Sequence, residues 1–319
     1  MRGRRRRYAP LTTVLAVVAA ASLALAGCAD PDAATDAVQK ARFDLVNEDD
    51  ARVLTVDGVE RSYVARVPDS AAIGAPLPLP LLLVMHGAGG NSVKVEAATG
   101  LTRYAIDDNF ITVYPNGTAA ADIDGQLAWN AGACCAAPVR DDVDDVAFIE
   151  AVIADISAEY VVDESQIFVA GFSNGGMMAY RLACELGDRI AGVAVVAGAY
   201  NVGECSTDAR TSVLVVHGTA DLTVPYEGGP TNPRTASRFG AWTNKSVADA
   251  ADFWSARNGC DPSPSRQTSG SVTRAVYADC QENTALEVVT IKDGLHVWPI
   301  APVSGFDASD FLVDYFGLD

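Results

Sequence analysis

Three side chains in this sequence could be assembled into a nucleophile, a base that activates it and an acid that orients the base: Ser173, His296 and Asp221. Ser173 lies in Gly171-Phe-Ser-Asn-Gly175, a G-x-S-x-G pattern. Such a pattern suits a sharp strand-to-helix turn that lifts the serine hydroxyl above a sheet. It leaves the next amide, Asn174 N–H, at a positive helix N-terminus suited to an oxyanion. Glycines two residues to either side let the two backbones approach without a Cβ between them. A serine hydroxyl is a weak nucleophile and needs a base beside it. Of the three histidines, His86 and His217 each close an apolar run as His-Gly, and only His296 follows late enough to serve. The acid is expected between nucleophile and base, because triads built on this turn run serine, acid, histidine. Asp221 fits, on the loop after Val213-Leu-Val-Val-His-Gly. Asp293 competes, but it adjoins His296 and would need a chain reversal to meet its ring. A second oxyanion donor is expected from His86-Gly-Ala-Gly-Gly90, with Ala88 N–H assigned and Gly87 or Gly89 left open. His86 itself reads as structural.

These groups need a rigid frame, and the hydrophobic pattern supplies one. Continuous apolar runs at Leu81–Met85 and Ile167–Ala170, with the apolar-rich stretches Ile111–Tyr114, Ala191–Ala197 and Ser212–Val216, read as buried strands, and Leu286–Ile291 as a final strand. Helical spacing marks Val143–Tyr160, Asn174–Glu185, Val247–Arg257 and Ser309–Phe316. Arg52–Val56 and Arg61–Val67 alternate around Asp57-Gly58, a hairpin signal. Strands alternating with helices predict an α/β fold: a mainly parallel sheet covered on both faces, in one domain. The long irregular stretches 117–142 and 226–244 both follow strand ends, where open α/β sheets bind ligands.

The N-terminus reads differently. Arg2 and Arg4–Arg7 precede an apolar run, Leu11–Ala26, and Leu25-Ala-Gly-Cys28 then resembles a bacterial lipobox. The expected organisation is a lipoprotein-type signal peptide (1–27), a lipidated tether (28–50) and a catalytic domain (51–319), with Cys28 carrying the lipid; the alternative is ordinary signal cleavage that leaves a secreted protein with an incidental cysteine. The formal net charge is −18, and residues 1–27 hold five arginines and no acid, so the mature chain is more acidic still. That balance argues against nucleic acid as a partner. No second apolar run is long enough to span a membrane, which leaves the N-terminal lipid as the expected membrane contact. Without Cys28, six cysteines remain, and an oxidising compartment favours their pairing. Proximity suggests Cys184–Cys205 and Cys260–Cys280, leaving Cys134 and Cys135 as a vicinal disulfide or as free thiols. No Cys/His spacing resembles a zinc site, and with three histidines no metal cluster is expected.

Seven motifs occur in one order: His86-Gly-x-Gly-Gly90; Tyr114-Pro-Asn-Gly117; Trp129-Asn with Cys134-Cys135; Val143-Asp-Asp-Val-x-Phe-Ile149; Gly171-x-Ser-Asn-Gly-Gly-Met177; His217-Gly-x-x-Asp221 with Val224-Pro-Tyr226; and His296-x-Trp-Pro299. The series resembles the secreted polyhydroxybutyrate depolymerase-like and feruloyl esterase-like enzymes, related to carbohydrate esterase family one. It runs from about Arg52 to the C-terminus. The resemblance implies an α/β-hydrolase fold, a Ser173–Asp221–His296 triad and exported, cofactor-free hydrolysis of small-molecule or polymeric esters. Short-chain, hydroxycinnamoyl and polyhydroxyalkanoate-type esters all stay open as substrates. So do a peptidase or acyltransferase on the same fold, and a silent lipid-anchored binding protein. One departure stands out: Leu295, Val297 and Ile300 replace the Gly, Thr and Gly usual around the base. Trp298 and Trp129 are candidate walls for an acyl or aromatic group, because a rigid ring offers much apolar area. Oligomeric state is not legible.

Overall fold

The computed structural model describes residues 50–72, 77–120 and 125–319. The expected signal peptide, the lipid-bearing Cys28 and the tether lie outside the described residues. Ten strands form one sheet. They are β1 (Arg52–Val56), β2 (Val59–Arg66), β3 (Leu79–Met85), β4 (Ile111–Pro115), β5 (Val162–Phe172), β6 (Gly192–Val196), β7 (Ser212–Gly218), β8 (Ser265–Ser269), β9 (Val272–Tyr277) and β10 (Leu286–Ile291). The spatial order is β1-β2-β4-β3-β5-β6-β7-β10-β9-β8. The six central strands, β4 to β10, pair in parallel, and an antiparallel hairpin extends each edge.

The continuous apolar runs are explained by burial on both faces. Leu81, Leu83 and Met85 of β3 enter one core while Leu82 and Val84 enter the other, and Val213/Val215 against Leu214/Val216 repeat the split in β7. This is the two-residue period of a strand. The first core is covered by α3 (Asp145–Glu159), α4 (Asn174–Glu185) and α5 (Val247–Asn258), through Phe148, Ile149, Met178 and Trp254 among others. The opposite core is covered by α2 (Leu101–Asp108), which follows α1 (Ser92–Thr99), and by α6 (Ala308–Phe316), through Leu101, Ala105, Leu312 and Val313. Burying such side chains contributes roughly 1.5–3 kcal/mol each before chain entropy is subtracted. The result is a three-layer α/β-hydrolase-type domain.

Several elements depart from the sequence reading. The elbow strand is longer than the apolar core Ile167–Ala170, because its first half, Val162–Gln166, is polar and largely solvent-facing. Helix α1 carries no apolar stripe, and both α1 and α2 are marked by their ends, with the Asn91 side chain capping α1 and Gly100 in the left-handed region between them. Edge strand β8 is exposed at all five positions and polar throughout, so it has no alternation to read. The two long irregular stretches contain short helices, Ala136–Arg140 and Pro233–Phe239, and two small two-stranded ladders.

Candidate active site

β5 runs into α4 through Ser173, which adopts φ 55° and ψ −119°, a conformation that costs a non-glycine residue about 1–3 kcal/mol. It is held there from both sides. The Ser173 N–H donates to Val196 O at 2.8 Å, and its carbonyl accepts from Met177 N–H at 2.9 Å. The flanking glycines are required sterically. A Cβ on Gly171 would stand 2.2 Å from Gly175 O, and one on Gly175 would stand 2.3 Å from Met85 O and 2.5 Å from His86 O. The second approach presses the elbow directly onto the His86–Gly90 turn.

Loops after β7 and β10 bring the other two groups to the serine. His296 Nε2 lies 3.0 Å from Ser173 Oγ, and His296 Nδ1 lies 2.7 Å from Asp221 Oδ2. The Asp221 side chain is fully buried and that of His296 is 19% exposed. Burial alone would raise the Asp221 pKa, but hydrogen bonds from His217 and His296 and amide donors outweigh it and hold the carboxyl well below the usual range. Asp221 Oδ1 accepts from Thr223 N–H at 2.8 Å and Val224 N–H at 2.9 Å, which fixes the plane of the carboxylate. An ionised Asp221 places a proton on His296 Nδ1 and leaves Nε2 free to accept from the serine hydroxyl. Asp293, the competing acid, is exposed, and its backbone N–H donates to Thr219 Oγ1 at 2.8 Å, while it is Asp221 whose carboxylate meets the ring.

The oxyanion side narrows in the same way. Gly89 N–H donates to Leu127 O at 2.7 Å and Gly90 N–H to Gly87 O at 2.9 Å, so the amides of Gly87 and Ala88 are the ones left beside Asn174 N–H. A Cβ on Gly87 would lie 3.3 Å from Ser173 Cβ, so this turn lines the nucleophile. His86 anchors the turn from beneath. Its Nδ1–H donates to Gly87 O at 2.9 Å, and its Nε2 accepts from Gly117 N–H at 3.0 Å. Complete burial lowers its pKa to about 4, so it stays neutral.

Sequence reasoning missed the tie between the elbow and the 129–135 loop. Asn174 Oδ1 accepts from Trp129 N–H at 2.8 Å, and its Nδ2 donates to Trp129 O at 3.1 Å and Cys134 O at 3.3 Å. The loop is held further by Asp145, whose Oδ2 accepts from Asn130 N–H at 2.7 Å and whose Oδ1 meets Arg61 Nη2 at 2.6 Å. Both partners of that ion pair are almost wholly buried. Trp129-Asn and Val143-Asp-Asp marked these segments, but no spacing says that Arg61 joins them.

The two tryptophans do not form substrate walls. Trp129 is 0% exposed, with its ring against His86 and its Nε1–H donating to His86 O at 2.9 Å. Trp298 is 2% exposed and donates to Ser309 Oγ at 3.0 Å, and that hydroxyl donates to Thr99 O at 2.7 Å. Each ring is spent on packing and on anchoring a loop. Ile300, one of the three departures around the base, is buried beside Trp298, whereas Leu295 is 46% exposed next to His296. Leu222, beside Asp221, is 79% exposed. Phe172 lies tilted by 40° against the His296 ring, with centroids 4.9 Å apart. The six cysteines are joined as Cys134–Cys135, Cys184–Cys205 and Cys260–Cys280. Among the described residues no cluster of His, Cys, Asp and Glu is arranged to hold a metal ion, and no helix is long and apolar enough to cross a membrane.

Residues 141–249 match the Phospholipase/Carboxylesterase family. Over 265 residues the chain is 32% identical to the protein named "Putative esterase NocK" of Nocardia uniformis subsp. tsuyamanensis, covering 78% of this chain and 74% of that one. It is 31% identical over 227 residues to Feruloyl esterase B of Piromyces equi, covering 68% of this chain but 39% of that longer protein. Among solved structures, an acetyl xylan esterase from Aspergillus awamori superposes with a TM-score of 0.59 at 15% identity, over 84% of this chain and 99% of that one, a likeness of fold. The chain belongs to the feruloyl esterase-like α/β-hydrolases, a family of carboxylic ester hydrolases.

Proposed function

We propose that the chain is an exported serine esterase in which Ser173 is the nucleophile, His296 the general base and acid, and Asp221 the orienting carboxylate. One observation carries the reading: the continuous line from Ser173 Oγ through His296 to Asp221 at 3.0 and 2.7 Å. His296 Nε2 takes the hydroxyl proton as Ser173 Oγ attacks the ester carbonyl. The tetrahedral oxyanion is met by Asn174 N–H and Ala88 N–H. His296 returns the proton to the departing alcohol, and the C–O bond breaks to leave an acyl-serine. Water, deprotonated by the same ring, then releases the acid. Asp221 stabilises the imidazolium formed in each half and keeps the proton on Nδ1.

Export is supported by three disulfides, which persist in oxidising compartments. With the Arg-rich, apolar leader ending at Cys28, the favoured location is the extracytoplasmic face of a membrane, tethered by lipid. A Cys28→Ala precursor should lose membrane association; unchanged partitioning would count against the anchor. The exposed Leu222 and Leu295 flanking acid and base favour substrates with an apolar portion near the ester, whether short-chain, hydroxycinnamoyl or polyester. The deciding experiment runs acetyl, butyryl, octanoyl and feruloyl chromogenic esters against wild type and Ser173→Ala. Activity that vanishes in the variant supports the assignment and ranks the acyl groups. Activity that survives removes Ser173 from the mechanism.

A further inference from the structure

The oxyanion turn is approached from two sides by cations. Lys94, on the first turn of α1, donates from Nζ to Gly89 O at 3.3 Å. Arg238, on the short helix Pro233–Phe239, reaches over the same residue from the opposite loop: its Nη2 lies 3.7 Å from where a Cβ on Gly89 would stand. Phe239 closes on that position too, at 3.3 Å, and Gln126 Oε1, the neutral acceptor of the Arg238 guanidinium, lies 3.8 Å away. Among the described residues neither cation forms an ion pair. The chain carries 41 acidic residues against 23 lysines and arginines, so carboxylates to neutralise them are plentiful. Both side chains are exposed, and both meet Gly89, two residues along the chain from Gly87, which touches Ser173. Two residues span at most about 7.6 Å of chain.

We propose that Lys94 and Arg238 form an anion subsite, and that the preferred substrates are esters bearing a free carboxylate a few bonds from the scissile carbonyl. A guanidinium held open by a neutral amide can exchange that partner for a carboxylate, and the ammonium supplies the second charge. Monoesters of dicarboxylic acids and acylated hydroxy acids share this chemistry; they differ in whether the anion lies on the acyl or the alcohol side. The inference rests on the esterase reading above and deepens it.

The test compares kcat/KM for two matched pairs on the mature protein. On the acyl side, 4-nitrophenyl butyrate is set against the 4-nitrophenyl monoester of succinate. On the alcohol side, the methyl ester of 3-butyryloxybutanoate is set against its free acid, followed by proton release. The variants are Lys94→Met, Arg238→Gln, their combination and Arg238→Glu. Exposed charge pairs are worth about a two- to fivefold effect each. The double variant should therefore lose roughly tenfold on one carboxylated ester while both neutral esters change less than about twofold. Arg238→Glu should lose more, and 0.5 M salt should shrink the wild-type preference, since it screens beyond roughly 4 Å. The pair that responds identifies the side carrying the anion. Equal effects on charged and neutral esters, or no effect on either pair, would overturn the subsite while leaving the esterase intact. Wild-type silence toward all four esters, charged and neutral, would instead overturn the esterase reading beneath it.

Discussion

Replacing Asp221 with asparagine tests the proposed charge arrangement with the least disturbance of shape. The asparagine carbonyl can keep the Thr223 and Val224 amide bonds that Oδ1 accepts at 2.8 and 2.9 Å, so the loop should hold its course. Its NH2 group then faces His296 Nδ1, 2.7 Å from the present Oδ2. Two donors cannot share that bond. The ring must move its proton to Nε2, the atom 3.0 Å from Ser173 Oγ, and Nε2 then cannot accept the serine proton. The equivalent change in a serine protease lowers kcat about ten-thousandfold, or about 5.4 kcal/mol of transition-state stabilisation. We expect a loss of that order here, in kcat with little change in KM, read from steady-state hydrolysis of 4-nitrophenyl acetate. Because Asp221 is held ionised far below neutrality, the wild-type rate between pH 5 and 8 should show no inflection from this carboxyl. Asp293→Asn serves as the control and should change the rate less than about twofold, since its carboxylate is exposed away from the ring. More than a tenth of wild-type activity in Asp221→Asn, or a larger loss in Asp293→Asn, would refute the assignment of the acid.

Three further outcomes follow from the same geometry. His86 has its pKa lowered from 6.5 to about 4 by burial, so the unfolded chain binds its proton first and stability falls as pH drops from about 6.5 towards 4. The loss approaches roughly 3 kcal/mol; urea unfolding at pH 7 and pH 4.5 should show a smaller difference in His86→Gln than in wild type, and equal differences would exclude His86 as the source. Gly175→Ala drives a methyl to within 2.3 Å of Met85 O and should destabilise by more than about 2 kcal/mol with loss of activity; a thermal midpoint within 2 °C of wild type would contradict the close approach. Arg61→Met strands the buried Asp145 carboxylate and should cost about 3–5 kcal/mol, whereas Arg61→Met with Asp145→Leu should recover part of it; no recovery in the double variant would mean that the ion pair is not the source of the loss.

The sheet was legible wherever a strand is buried on both faces, as at Leu81–Met85 and Val213–Val216, because burial leaves a continuous apolar run. It was illegible where a strand faces water: Ser265–Ser269 pairs only with β9 and carries no apolar side chain. The elbow and the two loops after β7 and β10 could be read because close backbone approach and acid–base chemistry each restrict the residue type. The tryptophans could not be assigned from sequence, since a large ring suits a core as well as a cleft, and the structure puts both in the core. Lys94 and Arg238 carry no motif at all. Their meeting at Gly89 depends on the path of a loop that sequence leaves irregular.

The side-chain contacts proposed to make the serine reactive join distant parts of the chain. Ser173 and His296 are 123 residues apart, His296 and Asp221 are 75, and the Ser309–Thr99 bond that anchors Trp298 spans 210. Closing loops of this length costs entropy that only a nearly complete core can repay, so such contacts form late. A chain emerging from its N-terminus would carry the nucleophile long before it had a base. Ester cleavage by the proposed triad would therefore switch on with the last stage of folding, and an unfolded chain would be chemically inert towards the esters around it.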